Sequence, residues 1–331
     1  MNFSPRRNLY EQQTRNKQLT LVVMIVFVLF LAFLGFGFDL YMTGTLETNV
    51  FVPVGSLAAV ALGIGSSFWS LRGGSQAVLR STGALPLDKA NPAHKQLENV
   101  VEEMSIASGL PRPQIFVIPD HDPNAFATGK DPQHSSIAVT QGLLESLNRE
   151  ELQGVVAHEM SHIRNYDIRL MTVVAALMGA VLLLSDWARR SLWYGGGRSR
   201  RRSSKSSGQL GLLLFALWLL GIILAPILGQ MMAMAVSRKR EYLADASAAE
   251  LTRNPMGLAN ALRKLEQASE PTASIKRGAA HLCIVDPTGR RLNAKEGFVA
   301  ELFGTHPPTE KRIVALQAMA YQYQNSPKPA A

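Results

Sequence analysis

Apolar residues run without interruption from 19 to 38, and at 1.5 Å per helical residue that is enough to cross a bilayer. A secretory signal would have a shorter apolar region and a small-residue cleavage site after it. None follows, so the run reads as an anchor. Residues 50–71 form a second, weaker apolar stretch, rich in Gly and Ser, with Pro53 near its start. Small residues suit close helix packing in lipid. After residue 72 the pattern becomes that of a globular domain. Asn91 and Pro92 predict a helix start, Leu97, Val100, Val101 and Met104 recur at helical spacing, and Gly109 predicts the end. Residues 115–118 predict a buried strand, and 125–128 and 137–140 predict two short strands about a polar turn at 129–135. A helix over 142–147 and a longer one from 150 follow. Apolar segments return at 170–185, short for a span, and at 210–236, long and with Pro226 inside. Beyond them come helices near 240–251 and 255–266, a β-like run at 281–285, and a last helix over 308–322. The expected fold is mainly α with a small antiparallel β-sheet and integral membrane helices. It divides into an N-terminal membrane hairpin (1–71), a first half-domain (72–167), a second hairpin with an Arg/Ser/Gly-rich loop (168–236) and a second half-domain (237–331).

Charge sharpens this picture. The net charge is +9, although charged residues make up only 18% of the chain and apolar residues 47%. Such a balance fits nucleic acid or an anionic membrane surface. Here the positive residues stand beside apolar runs, as in Arg6, Arg7, Arg15 and Lys17, or Arg238, Lys239 and Arg240. That placement favours the membrane and argues against nucleic acid. The loop between the first two apolar runs holds Asp39 and Glu47 but no Lys or Arg, so it should face outward with both flanks in the cytoplasm. Residues 189–208 are too polar to bury a core and read as a flexible loop. If 170–185 and 210–236 both cross, that basic loop lies outside, against the positive-inside rule; a shallow hairpin would keep it inside. The length of 210–236 favours the crossing. Cys283 is the one cysteine, which excludes an internal disulfide and a cysteine-based metal cluster.

The candidate chemistry begins at His158-Glu159-Met160-Ser161-His162. Residues four apart on a helix share a face, so two imidazoles at this spacing can grip one ion, and zinc accepts nitrogen ligands. Glu159, one position round the helix, can reach an attacking water as general base without binding the metal. An ordinary helix with a surface histidine pair is the plainer alternative. Against it, Leu152, Val155, Val156 and Met160 give this helix a core face, and a buried His-Glu-His cluster without a metal is expensive. A catalytic zinc needs a third ligand. Glu241-Tyr242-Leu243-Ala244-Asp245 offers Glu241 for the metal and Asp245 to accept a hydrogen bond from a ligand histidine. Taken alone, that segment is equally an acidic helix face after a basic stretch.

Together HEMSHIRNYD (158–167), EYLAD (241–245) and THPPTEKRI (305–313) resemble the HtpX family of bacterial membrane metallopeptidases, as do NAFATG (124–129), VTQGLLESL (139–147) and HLCIVDP (281–287). That family groups with the CAAX prenyl-protein proteases among the gluzincins. The resemblance implies one zinc at His158, His162 and Glu241, with Glu159 as general base. It also implies a multi-pass protein of the bacterial cytoplasmic membrane that cleaves damaged or misfolded membrane proteins from the cytoplasmic side. Asn124 and Ala125 then stand where the family's edge strand pairs with an extended substrate, though the same residues suit a plain turn into a hairpin. His306 and Arg312 stand where related enzymes place donors near the zinc for an oxyanion, though Pro307 and Pro308 also suit a helix start. His94, His121, His134 and His281 lack partner spacing and read as structural or surface residues. Two rival functions remain: a CAAX-type prenyl-protein protease, whose relatives have more spans than four, and a noncatalytic membrane scaffold in which zinc joins the half-domains.

Overall fold

The computed structural model describes residues 9–45, 53–195, 238–268, 272–275, 279–287 and 307–325. Two long helices, α1 (Leu9–Thr45) and α2 (Val54–Ser81), pack as a hairpin. Both are long and apolar enough to cross a membrane, over Glu11–Gly37 and Val54–Ser81. Large apolar side chains point outward from them, among them Leu29, Leu62 and Trp69 at 62%, 70% and 55% exposure. In water such a surface would be costly; against lipid it is the matching face. At the far end Asp39 caps α2. Its carboxylate accepts from the Gly55 and Ser56 N–H groups at 2.6 and 2.7 Å and from the Ser56 hydroxyl at 2.6 Å. A side chain on Gly35 would collide with the Gly55 carbonyl at 2.5 Å, so the helices meet there backbone to backbone. The helix α2 runs on past residue 71, through Ser81, into the globular part.

Between α2 and the site-bearing helices lies a four-stranded sheet: β1 (Leu85–Pro86), β2 (Gln114–Ile118), β3 (Ala125–Asp131) and β4 (His134–Thr140), in the order β1-β2-β4-β3. The expected hairpin is present as antiparallel β3–β4, with longer strands and a tighter turn than the residues suggested. The sheet as a whole is mixed, not antiparallel, because β2 docks parallel to β4 on its other side. That position makes β4 central, and residues 135–140 are all buried. Helix α3 (Pro92–Ser108) has the expected ends. Asn91 accepts from the Ala93 N–H, and Gly109 takes the left-handed conformation at φ 67°.

After α4 (Gln141–Ser146), α5 (Arg149–Arg164) opens with a capping box in which Asn148 and Glu151 satisfy each other's N–H groups. A side chain on Gly154 would meet the Leu258 backbone at 2.7 Å, so this glycine lets α8 (Pro255–Gln267) lie directly on α5. Helix α6 (Asp167–Gly195) is longer than the apolar segment that predicts it, and it packs on α1, α2 and β3. Its side chains at Ile168, at Leu170 and Met171, and from Thr172 to Ala175 are buried, and Val173, Leu177 and Val181 join Phe27, Leu31 and Leu34 of α1 in one apolar cluster. Residues 189–195, expected as the start of the basic loop, form the end of α6; the rest of that loop and the apolar run 210–236 lie outside the described residues. Helices α7 (Arg238–Thr252) and α9 (Thr309–Asn325) complete the fold. The β-like run near 281 is instead a short 3-10 turn, Ala280–Leu282, followed by a single bridge from Cys283 to Phe126.

Candidate metal centre

The main apolar core holds one flank of α5 and leaves the other facing α7. Leu152, Val155, Val156 and Met160 are buried with α3, the sheet and α8, as a helix with an apolar stripe requires. His158 and His162 stand one turn apart on the remaining side, and Glu241 enters from the first turn of α7. The two Nε2 atoms lie 3.2 Å apart. Glu241 stands 3.6 Å from Nε2 of His158 through Oε2 and 3.7 Å from Nε2 of His162 through Oε1. All three residues are buried. A tetrahedral ion with bonds of about 2.0–2.2 Å has ligand-to-ligand edges of roughly 3.3–3.6 Å. The observed triangle therefore fits one small metal ion. Two nitrogens and a carboxylate oxygen are the donor set zinc accepts.

Each histidine is held from behind at Nδ1. Asp245, one turn along α7 from Glu241, lies 3.0 Å from Nδ1 of His158 through Oδ1. Asp167, at the start of α6, lies 3.0 Å from Nδ1 of His162 through Oδ2. A carboxylate at Nδ1 keeps the proton there and leaves Nε2 free to bind. Burial alone would keep the His158 imidazole neutral, but the nearby carboxylates of Asp245 and Glu241 outweigh that and raise its pKa to about 9 in the metal-free protein. Burial would also raise Asp245, yet the charge and hydrogen bonds of Arg312 hold it below the ordinary carboxylate range.

Glu159 lies beside the two histidines with 1% exposure. Neither of its oxygens makes a hydrogen bond of normal geometry, although the Ala127 N–H lies close. Burial pushes its pKa up, more strongly than His158, His162 and that N–H push it down. Such an orphaned, desolvated carboxylate is what a general base beside a cation needs before substrate arrives.

The remaining residues singled out in the sequence fare differently. Arg312 is close to the cluster but faces its rear. It donates from Nε and Nη2 to both oxygens of Asp245 at 2.8 and 2.7 Å, and from Nη1 to the Ile284 carbonyl at 2.9 Å. A guanidinium committed in that way supports Asp245 and Glu241. Asn124 is fully buried and donates to Thr272 and to the Val285 carbonyl, while the Ala125 carbonyl accepts from the Ile284 N–H. The segment after the 3-10 turn thus already occupies the edge of β3 at Ala125. His306 lies outside the described residues. His281 is buried against the Met171 carbonyl, and His94 accepts from the Asp88 N–H, as structural histidines do.

Two participants carry no role in the motif-by-motif account. Asp167 closes the stretch after the second histidine, and its signal was there: an acidic residue at the first position of the next helix, a few residues past a ligand. Asn16 touches that same aspartate from α1, and its signal was a polar amide just ahead of an apolar span.

Comparison with known proteins gives the family. The model of Peptidase family M48 matches residues 92–320, which takes in α3, the strands β2 to β4 and every residue of the cluster. A protease HtpX homolog of Ligilactobacillus salivarius is 42% identical over 94% of this chain and all of its own length. Another, of Thermoanaerobacter pseudethanolicus, is 41% identical over 95% of this chain and 99% of its own. Among solved structures, Ste24p of S. mikatae aligns over 93% of this chain and 67% of that protein, with 19% identity and a TM-score of 0.48. A family match over most of the chain, with full-length relatives above 40% identity, settles membership: the chain belongs to peptidase family M48.

Proposed function

We propose that this peptidase is a zinc endopeptidase of the bacterial cytoplasmic membrane that cuts membrane proteins on the cytoplasmic side. The convergence of His158, His162 and Glu241 on one point, with the orphaned Glu159 beside it, carries the proposal. Zinc held there would supply Lewis acidity, lowering the pKa of water and polarising a carbonyl. Glu159 takes the proton of the attacking water as oxygen adds to the peptide carbonyl carbon. It then gives that proton to the leaving nitrogen as the C–N bond breaks. Its raised pKa makes it a stronger base than a surface carboxylate. An extended peptide would align next to Ala127 of β3, where the strand faces Glu159 and lies past the part of the edge taken by Ile284. Asp245 and Asp167 hold the two imidazoles throughout.

The cytoplasmic placement rests on charge and contact together. The N-terminal end of α1 touches the corner between α5 and α6, since Gln13 and Asn16 donate to the carbonyls of Arg164 and Asn165. The cluster therefore lies at the end of α1 that carries Arg15 and Lys17, and basic residues mark the cytoplasmic face. We assign the chain a membrane hairpin at 1–71, half-domains at 72–167 and 237–331, and a crossing hairpin at 168–236. The burial of α6 alongside the apolar part of α1 supports that crossing.

Glu159→Gln tests the proposal. The variant should keep bound zinc near one per chain and lose about 10²–10⁴ in casein cleavage in detergent micelles. Undiminished cleavage would remove Glu159 from the mechanism. A wild-type chain that holds zinc but cleaves nothing, with or without chelator, would point to the scaffold instead.

A further inference from the structure

The polar start of α1 does more than precede a membrane span. Gln13, Asn16, Lys17 and Thr20 share one face of this helix at intervals of three, four and seven residues. Three of them grip consecutive residues of the corner between α5 and α6. Gln13 Nε2 donates to the Arg164 carbonyl at 2.8 Å, and the Lys17 ammonium lies 4.3 Å from the centre of the Tyr166 ring. Asn16, 5% exposed, donates from Nδ2 to the Asn165 carbonyl at 2.9 Å and to Asp167 Oδ1 at 2.6 Å. Its own Oδ1 accepts from Arg240 at 3.2 Å. One amide therefore uses both donors and its acceptor in a buried place. The corner needs holding, because Tyr166 has φ 59°, a left-handed conformation that a bulky residue seldom adopts unless its surroundings enforce it.

We propose that Asn16 is a positioning residue of the metal centre, contributed by the membrane helix. Asp167 has two oxygens with two duties: Oδ2 meets Nδ1 of His162 at 3.0 Å, and Oδ1 is anchored by Asn16. With Oδ1 fixed, the carboxylate cannot rotate away from the imidazole, so His162 keeps its Nδ1 proton and presents Nε2 to the ion. A carboxylate without that anchor would swing among rotamers and hold the ring less well. Arg240, 3.4 Å from the same Oδ1 and one residue before Glu241, ties this arrangement to the third ligand. The inference rests on the reading of His158, His162 and Glu241 as metal ligands. It makes α1 part of the centre, so release of this helix from the corner would loosen the metal.

The test uses the full chain in detergent micelles. Zinc affinity is measured by competition with a chromophoric chelator, and the visible spectrum of the Co²⁺-loaded protein is recorded. Asn16→Leu should weaken zinc binding about 10–100-fold and alter the Co²⁺ bands. Gln13→Leu, which loosens the same corner without touching Asp167, should bind zinc like wild type. Equal losses in both variants would reduce Asn16 to a packing role and overturn the proposal, as would a wild-type affinity and spectrum in Asn16→Leu. If Asn16→Leu does not fold, a charge exchange decides. Asn16→Asp sets two carboxylates against each other and should lose zinc, and adding Asp167→Asn should restore part of the affinity by reversing donor and acceptor. No recovery in the double variant would overturn the proposal. A wild-type chain that binds no zinc would instead bring down the metal reading itself, and this inference with it.

Discussion

His158 and His162 are supported in the same way but from different parts of the molecule. Behind His158, Asp245 and Arg312 form a doubly hydrogen-bonded ion pair, with side chains 2% and 1% exposed. Arg312 comes from α9, near the end of the chain, and also fastens the Ile284 carbonyl beside β3. Behind His162, Asp167 is held mainly by a neutral amide from α1, with the Arg240 cation farther off at 3.4 Å and partly exposed. The first support joins three parts of the globular domain through full charges in a buried place. The second joins that domain to a membrane helix through a weaker, more adjustable contact. A buried charge that loses its partner is far more costly than a neutral hydrogen bond that is lost. The His158 side should therefore decide whether the domain folds, and the His162 side how tightly the metal is held.

Arg312→Met should give the largest effect. It leaves Asp245 buried without its cation, and breaking such a pair typically costs ~3–5 kcal/mol. Stability to denaturant in micelles should fall by that much, and Asn16→Leu should lose clearly less by the same measure. Similar losses in the two would erase the distinction between the supports. Arg312→Lys should recover little, since one ammonium cannot bond both oxygens of Asp245 and the Ile284 carbonyl in the observed fork.

The next effect separates the two aspartates. Asp167→Asn should weaken zinc binding about 10–100-fold while folding persists, the usual consequence of losing a ligand's outer support. Asp245→Asn should weaken zinc comparably and also destabilise the metal-free chain, because it strands Arg312. Chelator competition and unfolding, run on both variants, read the two quantities separately. An Asp245→Asn chain as stable as Asp167→Asn would mean that the Arg312 pair contributes little to the fold.

What could be read from the residues alone follows the range of the interactions. Helix α3 was legible because Asn91, Pro92 and Gly109 act within a turn of where they stand. The His158–His162 pair was legible because helical periodicity alone brings the two imidazoles together, and Glu241 because its motif resembles a known one. The order of the sheet was not. Local pattern predicts the β3–β4 hairpin, but which side of β4 receives β2 depends on how helices cover both faces. Arg312 was expected as an oxyanion donor and is found paired with Asp245, since no periodicity tells which carboxylate a distant guanidinium will find. Asn124 and Ala125 present the same difficulty, for the residues that meet them, Ile284 and Val285, lie far along the chain. Asn16 was not legible because its partner Asp167 lies 151 residues along the chain.

The finest test of the comparison is the pH dependence of metal binding. Without metal, Asp245 and Glu241 raise the His158 pKa from its ordinary 6.5 to about 9. Between those values His158 carries a proton in the folded, metal-free chain, and a metal can bind only by displacing it. Apparent zinc affinity should therefore climb about tenfold per pH unit as pH rises toward 9, and level off above it. The stability of the metal-free chain should move the other way. A pKa raised on folding contributes stability that is complete below about 6.5 and is lost as pH rises through about 9. Asp245→Asn removes the first-named partner that holds the proton, so its break in the affinity curve should shift toward lower pH. Asp167→Asn leaves that partner in place, and its break should stay where the wild-type break is, at a lower affinity throughout. Affinity that is flat from pH 6.5 to 9, or the same break in both variants, would show that His158 does not carry this proton and that the two supports act alike.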